Sequence, residues 1–154
     1  KAIRRQRQMC IRDSNITIGL IEIFSFLLIR KYCGGYHCQS STACLIFSAI
    51  ILIVMAWLSS FIKPSLYMFI ALIIADMELI IKGPVISINH SVSDSEKKYY
   101  HHCLVGILAV FNIIILAATV LHLYRTASCI SIVIIFCFIS HIACMTEKNR
   151  KLYY

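Results

Sequence analysis

The residues of this sequence that could do chemistry are concentrated between positions 30 and 44, in the stretch RKYCGGYHCQSSTAC. His37 stands seven residues before Cys44, and the glycine pair Gly34 and Gly35 precedes the histidine. A thiol becomes a nucleophile when it loses its proton, and a nearby imidazole can take that proton and later give it to a leaving amine. Glycine permits positive φ, so the chain can turn His37 back over the next segment. The pattern predicts a cysteine nucleophile with a histidine base.

The position of Cys44 favours the same chemistry. Positions 40–42 are Ser, Ser and Thr, residue types that cap helix N-termini, and the apolar run 43–62 comes directly after them. Cys44 is therefore expected in the first turn of a helix, where the helix dipole and the free backbone N–H groups favour a thiolate. The same N–H groups could bind an oxyanion.

Spacing alone leaves two other interpretations of this stretch open. One is a structural loop at a membrane interface, in a small non-enzymatic protein such as a transporter or export subunit. The other is a metal site, because thiolate and imidazole groups bind zinc; its ligands would be Cys33, His37, Cys38 and Cys44. Zinc loops usually carry two matching pairs of closely spaced cysteines. Here Cys33 and Cys38 form the only such pair, and no second pair matches it. We therefore predict no metal and no other cofactor.

The composition indicates what kind of molecule must position these residues. Of the 154 residues, 60% are hydrophobic and 14% are charged, and the mean hydropathy is +0.82. A soluble domain usually has about 25% charged residues, and a chain this short has too little interior to bury so many apolar side chains. These values exclude a soluble enzyme, a disordered chain and a disulfide-rich secreted domain. An integral membrane protein remains.

Five apolar segments predict an all-α, polytopic membrane protein. A bilayer is crossed by about 20 helical residues, within a range of roughly 17–25, and inside lipid a helix satisfies its own backbone groups. We expect four clear spans and one short N-terminal segment, which carries Glu22 and either spans the bilayer or lies at its surface. The segments are 16–29, 43–62, 65–81, 103–124 and 127–145.

The same pattern divides the chain into three parts. The basic stretch 1–15 shows no period that joins it to the first apolar segment, so we set it apart as a stretch that need not be native. The membrane domain covers 16–146 and includes the candidate catalytic loop 30–44. A basic tail, 147–154, ends the sequence.

Charged residues in the connections predict the orientation. The net charge of +8 is spread over short clusters between apolar runs, a pattern typical of cytoplasmic loops and not of a nucleic-acid-binding face. Lys and Arg are more numerous in 30–42, in 82–102 and in the tail than in the other two connections. We therefore predict a multi-pass cell-membrane protein whose candidate loop and C-terminus are cytoplasmic. The basic 1–15 stretch would then lie outside the cell, although positively charged segments usually stay on the cytoplasmic side. This conflict disappears if an earlier helix is missing or if the first segment does not span the membrane.

Two carboxylates in the third apolar segment, Asp76 and Glu78, invite a functional interpretation, because a charge inside a membrane is costly. One of them could orient His37, as the third member of a catalytic triad does. The alternative is that a carboxylate reaches the membrane surface or pairs with Lys82. Four other histidines are expected to be solvated or interfacial polar groups: His101, His102, His122 and His141.

The stretch 30–44 resembles the signature of the AgrB family, the accessory gene regulator protein B of Gram-positive quorum sensing. Both have a basic residue, a Gly-x-His step and a cysteine seven residues after the histidine. The flanking apolar segments are similar too, and so is KGPVISINHSVSDSEKKYY at 82–100, where a Gly-Pro ends a helix before a polar loop with a lysine pair. The resemblance extends from about residue 16 to the end. The family's first membrane helix has no counterpart here, so a truncated member is expected.

The resemblance implies a membrane-embedded cysteine endopeptidase. His37 and Cys44 occupy the positions of its catalytic dyad, and Arg30 and Gly35 occupy motif positions that the family needs for activity. The implied partner is an AgrD-type peptide precursor, which is cut on its C-terminal side and closed into a thiolactone, or into a lactone in some members. Membrane lipid is the second expected partner, a homodimer is left open, and nucleic acid is not expected.

Overall fold

The computed structural model of the protein describes residues 2–34, 41–84 and 93–152. Their regular structure consists of five helices, which confirms the all-α prediction. The apolar runs become helices because each must satisfy its backbone hydrogen bonds within itself. The helices are α1 (Ala2–Cys33), α2 (Ser41–Phe61), α3 (Leu66–Lys82), α4 (Asp94–Val120) and α5 (Tyr124–Leu152).

Helix α5 is the centre of the bundle and packs against each of the other four helices. All eight residues at positions 127–134 are buried. A helix that is buried on every side is typical of a bundle core. Small side chains let the neighbouring helices approach closely, and half of this stretch is small: Ala127, Ser128, Cys129 and Ser131.

Successive helices alternate in direction. The end of α1 contacts the start of α2 through Arg30 and Ser48, and the end of α3 contacts the second half of α5 through Gly83 and His141. The short turns from α2 to α3 and from α4 to α5 lie at the opposite end. We call the first end, where α1, α3 and α5 finish and α2 and α4 begin, the basic end. The helix termini next to the 30–42 and 82–102 connections and the tail therefore share one end, in the arrangement that the charge pattern requires.

Two helices, α1 and α4, begin more than two turns earlier than the apolar segments predict. Helix α4 begins at Asp94, where Ser93 caps its N-terminus and the Glu96 carboxylate accepts from the Ser93 backbone N–H at 3.1 Å. This capping box satisfies N–H groups that a helix start leaves without partners. Because of it, the first turns of α4 occupy part of the predicted 82–102 loop. Helix α1 begins at Ala2, so the backbone of the stretch that we set apart is helical.

The outer surface of the bundle is apolar, as contact with lipid requires. Soluble monomers rarely expose so much apolar surface. This surface is formed largely by side chains that are more than half exposed on α2, α3 and α4: Leu45, Ile53, Trp57, Phe61, Tyr67, Ile73, Ile81, Ile113 and Leu116.

Two helical stretches among the described residues are long and apolar enough to cross a membrane, Ser95–Val120 and Tyr124–Thr146. Leu45–Phe61 is a shorter apolar helix. The predicted count of four clear spans is therefore not confirmed. Helix α3 has only 17 residues, and charged side chains interrupt its second half.

Candidate functional site

The four predicted site residues lie on and around the connection between α1 and α2. Arg30 is half-buried in the last turn of α1. Cys44 is the fourth residue of α2, so its predicted place in the first turn of a helix is confirmed by the backbone. Gly35 and His37 lie outside the described residues, and so does the side chain of Cys44. The pairing of His37 with Cys44 stays a prediction.

The side chain of Arg30 joins α1 to α2 near the position of Cys44. Its Nη1 donates a hydrogen bond of 2.9 Å to Oγ of Ser48. Residues 44 and 48 are four apart, so they lie on the same face of α2, and helical side chains tilt toward the N-terminus. The guanidinium also lies over the ring of Phe26, 5.5 Å from its centroid, in a cation–π contact. A positive charge is thus held about one turn from position 44.

Cys33, at the end of α1, is a structural thiol. Its side chain is fully buried, and burial, followed by the nearby Cys144 thiol, raises the pKa of Cys33 to about 12. The thiol is therefore protonated at neutral pH and a poor nucleophile. The same burial argues against Cys33 as a thiolate ligand in the alternative metal site. The side chains of the other three proposed ligands lie outside the described part of the chain.

A second cluster at the basic end fixes the end of α3. Gly83 has φ 66°, and its N–H caps the helix by donating to the Leu79 carbonyl at 3.0 Å. Nε2 of the buried His141 lies 2.9 Å from the Gly83 carbonyl oxygen; since a carbonyl only accepts, this nitrogen donates. The ring of His101 on α4 is also close, because a Cβ at Gly83 would be 3.2 Å from its Nδ1. The start of the segment after α3 is therefore held between α4 and α5.

The two carboxylates of α3 differ in their surroundings. Glu78 pairs with Lys82 at 2.8 Å, as one of the two hypotheses predicted. Asp76 is buried, and its Oδ2 accepts a 2.8 Å hydrogen bond from Nδ2 of Asn112 on α4. The hypothesis that one of them orients His37 stays a prediction, because His37 lies outside the described residues.

Glu22 is buried between α1 and α5, away from the basic end. Its Oε2 accepts a 3.8 Å hydrogen bond from the thiol of Cys129. Eleven residues of helix separate Glu22 from Cys33, which corresponds to about 16 Å. Glu22 therefore belongs to the helix packing and not to the candidate site.

Sequence reasoning missed three residues whose side chains form hydrogen bonds with another helix or its cap. Ser48 gave no signal, because a serine inside an apolar helix most often bonds its own backbone. His141 was expected at the membrane interface, but it is buried against a glycine 58 residues away in the chain. Asn112 did carry a signal, since a polar residue within an apolar segment usually has a polar partner.

Comparison with known proteins identifies the family. The family model described as AgrB, Accessory gene regulator B, matches residues 15–141, which is more than four-fifths of the chain and includes the whole 30–44 stretch. Searches of curated proteins and of solved structures found no match. The family and the two long apolar helices indicate a membrane protein with a role in accessory gene regulator peptide processing. The chain belongs to the AgrB family.

Proposed function

We propose that this protein is a membrane-embedded cysteine endopeptidase that cuts an AgrD-type peptide precursor and closes part of it into a ring. The observation that carries the proposal is the place of Cys44 in the first turn of α2, one turn from Ser48 and the Arg30 guanidinium bound to it. The free N–H groups of a helix start and a nearby cation both stabilise a thiolate and an oxyanion.

The first step of the proposed reaction is acylation of Cys44. His37 takes the thiol proton, and the thiolate attacks the carbonyl carbon of the scissile peptide bond. When the tetrahedral intermediate collapses, the carbon–nitrogen bond breaks and His37 gives its proton to the leaving amine. The acyl part of the precursor is then held as a thioester on Cys44. Gly35, two residues before His37, allows the chain to turn there.

The second step is ring closure. A cysteine thiol within the bound acyl part gives its proton to His37 and attacks the thioester carbon. The bond from that carbon to Cys44 breaks, the Cys44 thiolate takes the proton back from His37, and a peptide thiolactone is released. A serine hydroxyl in the same place would give a lactone. Exchange of one thioester for another is close to balanced in free energy, so the step depends on holding the two groups near each other.

The proposed site faces the cytoplasm. The basic end carries the helix termini around 30–42 and 82–102 and the start of the basic tail, and positively charged connections stay on the cytoplasmic side. The apolar outer surface of the multi-pass bundle contacts lipid. The peptide precursor is then cut on the side of the membrane where it is made.

Co-expression with a candidate precursor, followed by mass spectrometry of the peptides, tests this function. The Cys44→Ser variant should lower the cleavage rate by at least about 100-fold, because the thiolate is lost. Cys129→Ala, in the buried part of α5, is the matched control and should cut at nearly the parent rate. Release of the C-terminal fragment by Cys44→Ser at the parent rate would show that the cysteine peptidase proposal is wrong.

A further inference from the structure

We infer that Ser48 is a positioning residue of this peptidase, because it holds the Arg30 guanidinium against α2 about one turn after Cys44, where that charge stabilises the Cys44 thiolate and the oxyanion of acyl transfer. The inference rests on the proposed function and assigns Ser48 a part in it. Ser48 acts through Arg30 and exchanges no proton or bond with the substrate.

The hydrogen bond from Arg30 to Ser48 joins two helices across the candidate loop. The two residues are 18 apart in sequence, and their side chains meet at 2.9 Å. The five N–H donors of an arginine lie in one planar fork. A bond to one nitrogen therefore restricts the directions in which the whole fork can point. Without the hydroxyl of Ser48, the long side chain of Arg30 would keep its charge but lose the hydrogen bond that joins it to α2.

The surroundings of Arg30 strengthen the effect of its charge. The ring of Phe26 lies beneath the guanidinium, and Ser48 of α2 binds it from the neighbouring helix. The guanidinium thus lies between α1 and α2, half-buried. Charges interact more strongly where protein replaces water around them. A displacement of this cation should therefore weaken the electrostatic stabilisation of a thiolate at position 44.

Helix α2 provides a matched control at its other end. There the guanidinium of Arg125, at the start of α5, donates to Oγ of Ser60 at 3.4 Å. Ser60→Ala removes the same type of contact from the same helix, far from Cys44. This control shows whether the loss of any arginine–serine contact on α2 lowers activity, or only the loss of the contact one turn from Cys44.

The experiment compares Ser48→Val with Ser48→Thr, which have nearly the same shape and differ in the hydroxyl group. Cleavage of a precursor gives kcat and KM, and thermal unfolding in detergent confirms that each variant is folded. We expect Ser48→Val to lower kcat about tenfold with KM changed less than about twofold, the effect of one hydrogen bond to a charged group. Ser48→Thr and Ser60→Ala should keep the parent kcat.

A second readout does not depend on catalysis. The rate at which iodoacetamide alkylates Cys44 is measured against pH, with the modified peptide identified by mass spectrometry. Ser48→Val should move the alkylation curve to higher pH, because the thiolate loses stabilisation. The same change should have no further effect when it is added to Arg30→Ala, because Ser48 acts through that residue.

The outcomes separate this inference from the proposed function. The inference would be overturned if Ser48→Val had the kcat and the alkylation curve of the parent protein. It would also be overturned if Ser48→Val moved the alkylation curve by the same amount when Arg30 had already been changed to alanine. The proposed function itself is decided by Cys44→Ser. If that variant is inactive while Ser48→Val behaves like the parent protein, the peptidase stands and only the role of Ser48 is wrong.

Discussion

Asp76 and Asn112 show, at the scale of single residues, how this bundle accommodates a carboxyl group among apolar side chains. Both hydrogens of the Asn112 amide are used, one by Oδ2 of Asp76 and one by the carbonyl of Leu108 at 2.9 Å. Oδ1 of Asp76 is buried and has no hydrogen-bond partner among the described residues. The carboxyl group therefore depends on Asn112 to offset the cost of its burial.

Asn112→Ala should lower the free energy of unfolding by about 1–3 kcal/mol, because it leaves a buried carboxyl group without its partner. Thermal or denaturant unfolding in detergent measures this change. The double variant Asp76→Leu/Asn112→Leu is the control and should be close to the parent, since both polar groups are gone. Equal stability of Asn112→Ala and the parent would mean that the pair does not stabilise the bundle.

At the scale of helices, their ends are set by local chemistry that the sequence contains. Ser65 caps α3 by accepting from the Met68 backbone N–H at 3.4 Å, and Ser93 caps α4 with Glu96. Both are serine caps of the type that begins helices. The sequence interpretation nevertheless started α4 too late, because it relied on the apolar run and passed over the Ser-x-x-Glu pattern before it.

Gly83→Ala tests the end of α3. Gly83 has φ 66° and ψ −170°, a backbone conformation that costs a residue with a side chain about 1–3 kcal/mol. The new Cβ would also lie 3.2 Å from Nδ1 of the His101 ring. We expect the free energy of unfolding to fall by at least that amount. The control is Gly106→Ala, within α4, where no atom lies within 4 Å of the added Cβ.

Gly106→Ala should raise the free energy of unfolding by about 0.5–1 kcal/mol, because glycine is a poor residue for a helix interior. If the free energy of unfolding falls in Gly83→Ala and rises in Gly106→Ala, measured by the same assay, glycine is required at position 83 for its backbone conformation. The same sign for both would contradict the described end of α3.

The central place of α5 could not be predicted from the sequence. Its apolar residues cover all sides of the helix, and a helix that faces lipid can show the same pattern as one that is buried in protein. Only packing reveals that Ser128 and Ser131 are fully buried. The same limit applies to Ser48 and His141, whose partners lie on other helices. By contrast, the place of Cys44 at a helix start is dictated by adjacent residues, so it could be predicted.

At the scale of the whole molecule, the alternation of helix directions brings distant basic segments together. Lys31 lies in the last turn of α1, Lys82 ends α3, and Lys97 and Lys98 lie in the first turns of α4. These positions are far apart in sequence, yet their helix termini share the basic end. A membrane protein keeps such a cluster on the cytoplasmic side. The fold therefore places the start of α2, with Cys44, on the same side as this charge.

Labelling of intact cells with a membrane-impermeant maleimide tests this orientation. Lys63 is exposed in the turn between α2 and α3, and Ser95 is exposed at the start of α4, at the opposite end of the bundle. Each is changed to cysteine in a protein whose eight native cysteines have been replaced by alanine. If the basic end faces the cytoplasm, as we propose, Lys63→Cys should be labelled in intact cells and Ser95→Cys only after lysis. Labelling of Ser95→Cys from outside would reverse the orientation and place Cys44 away from a cytoplasmic precursor. Labelling of both from one side would contradict the alternating bundle itself.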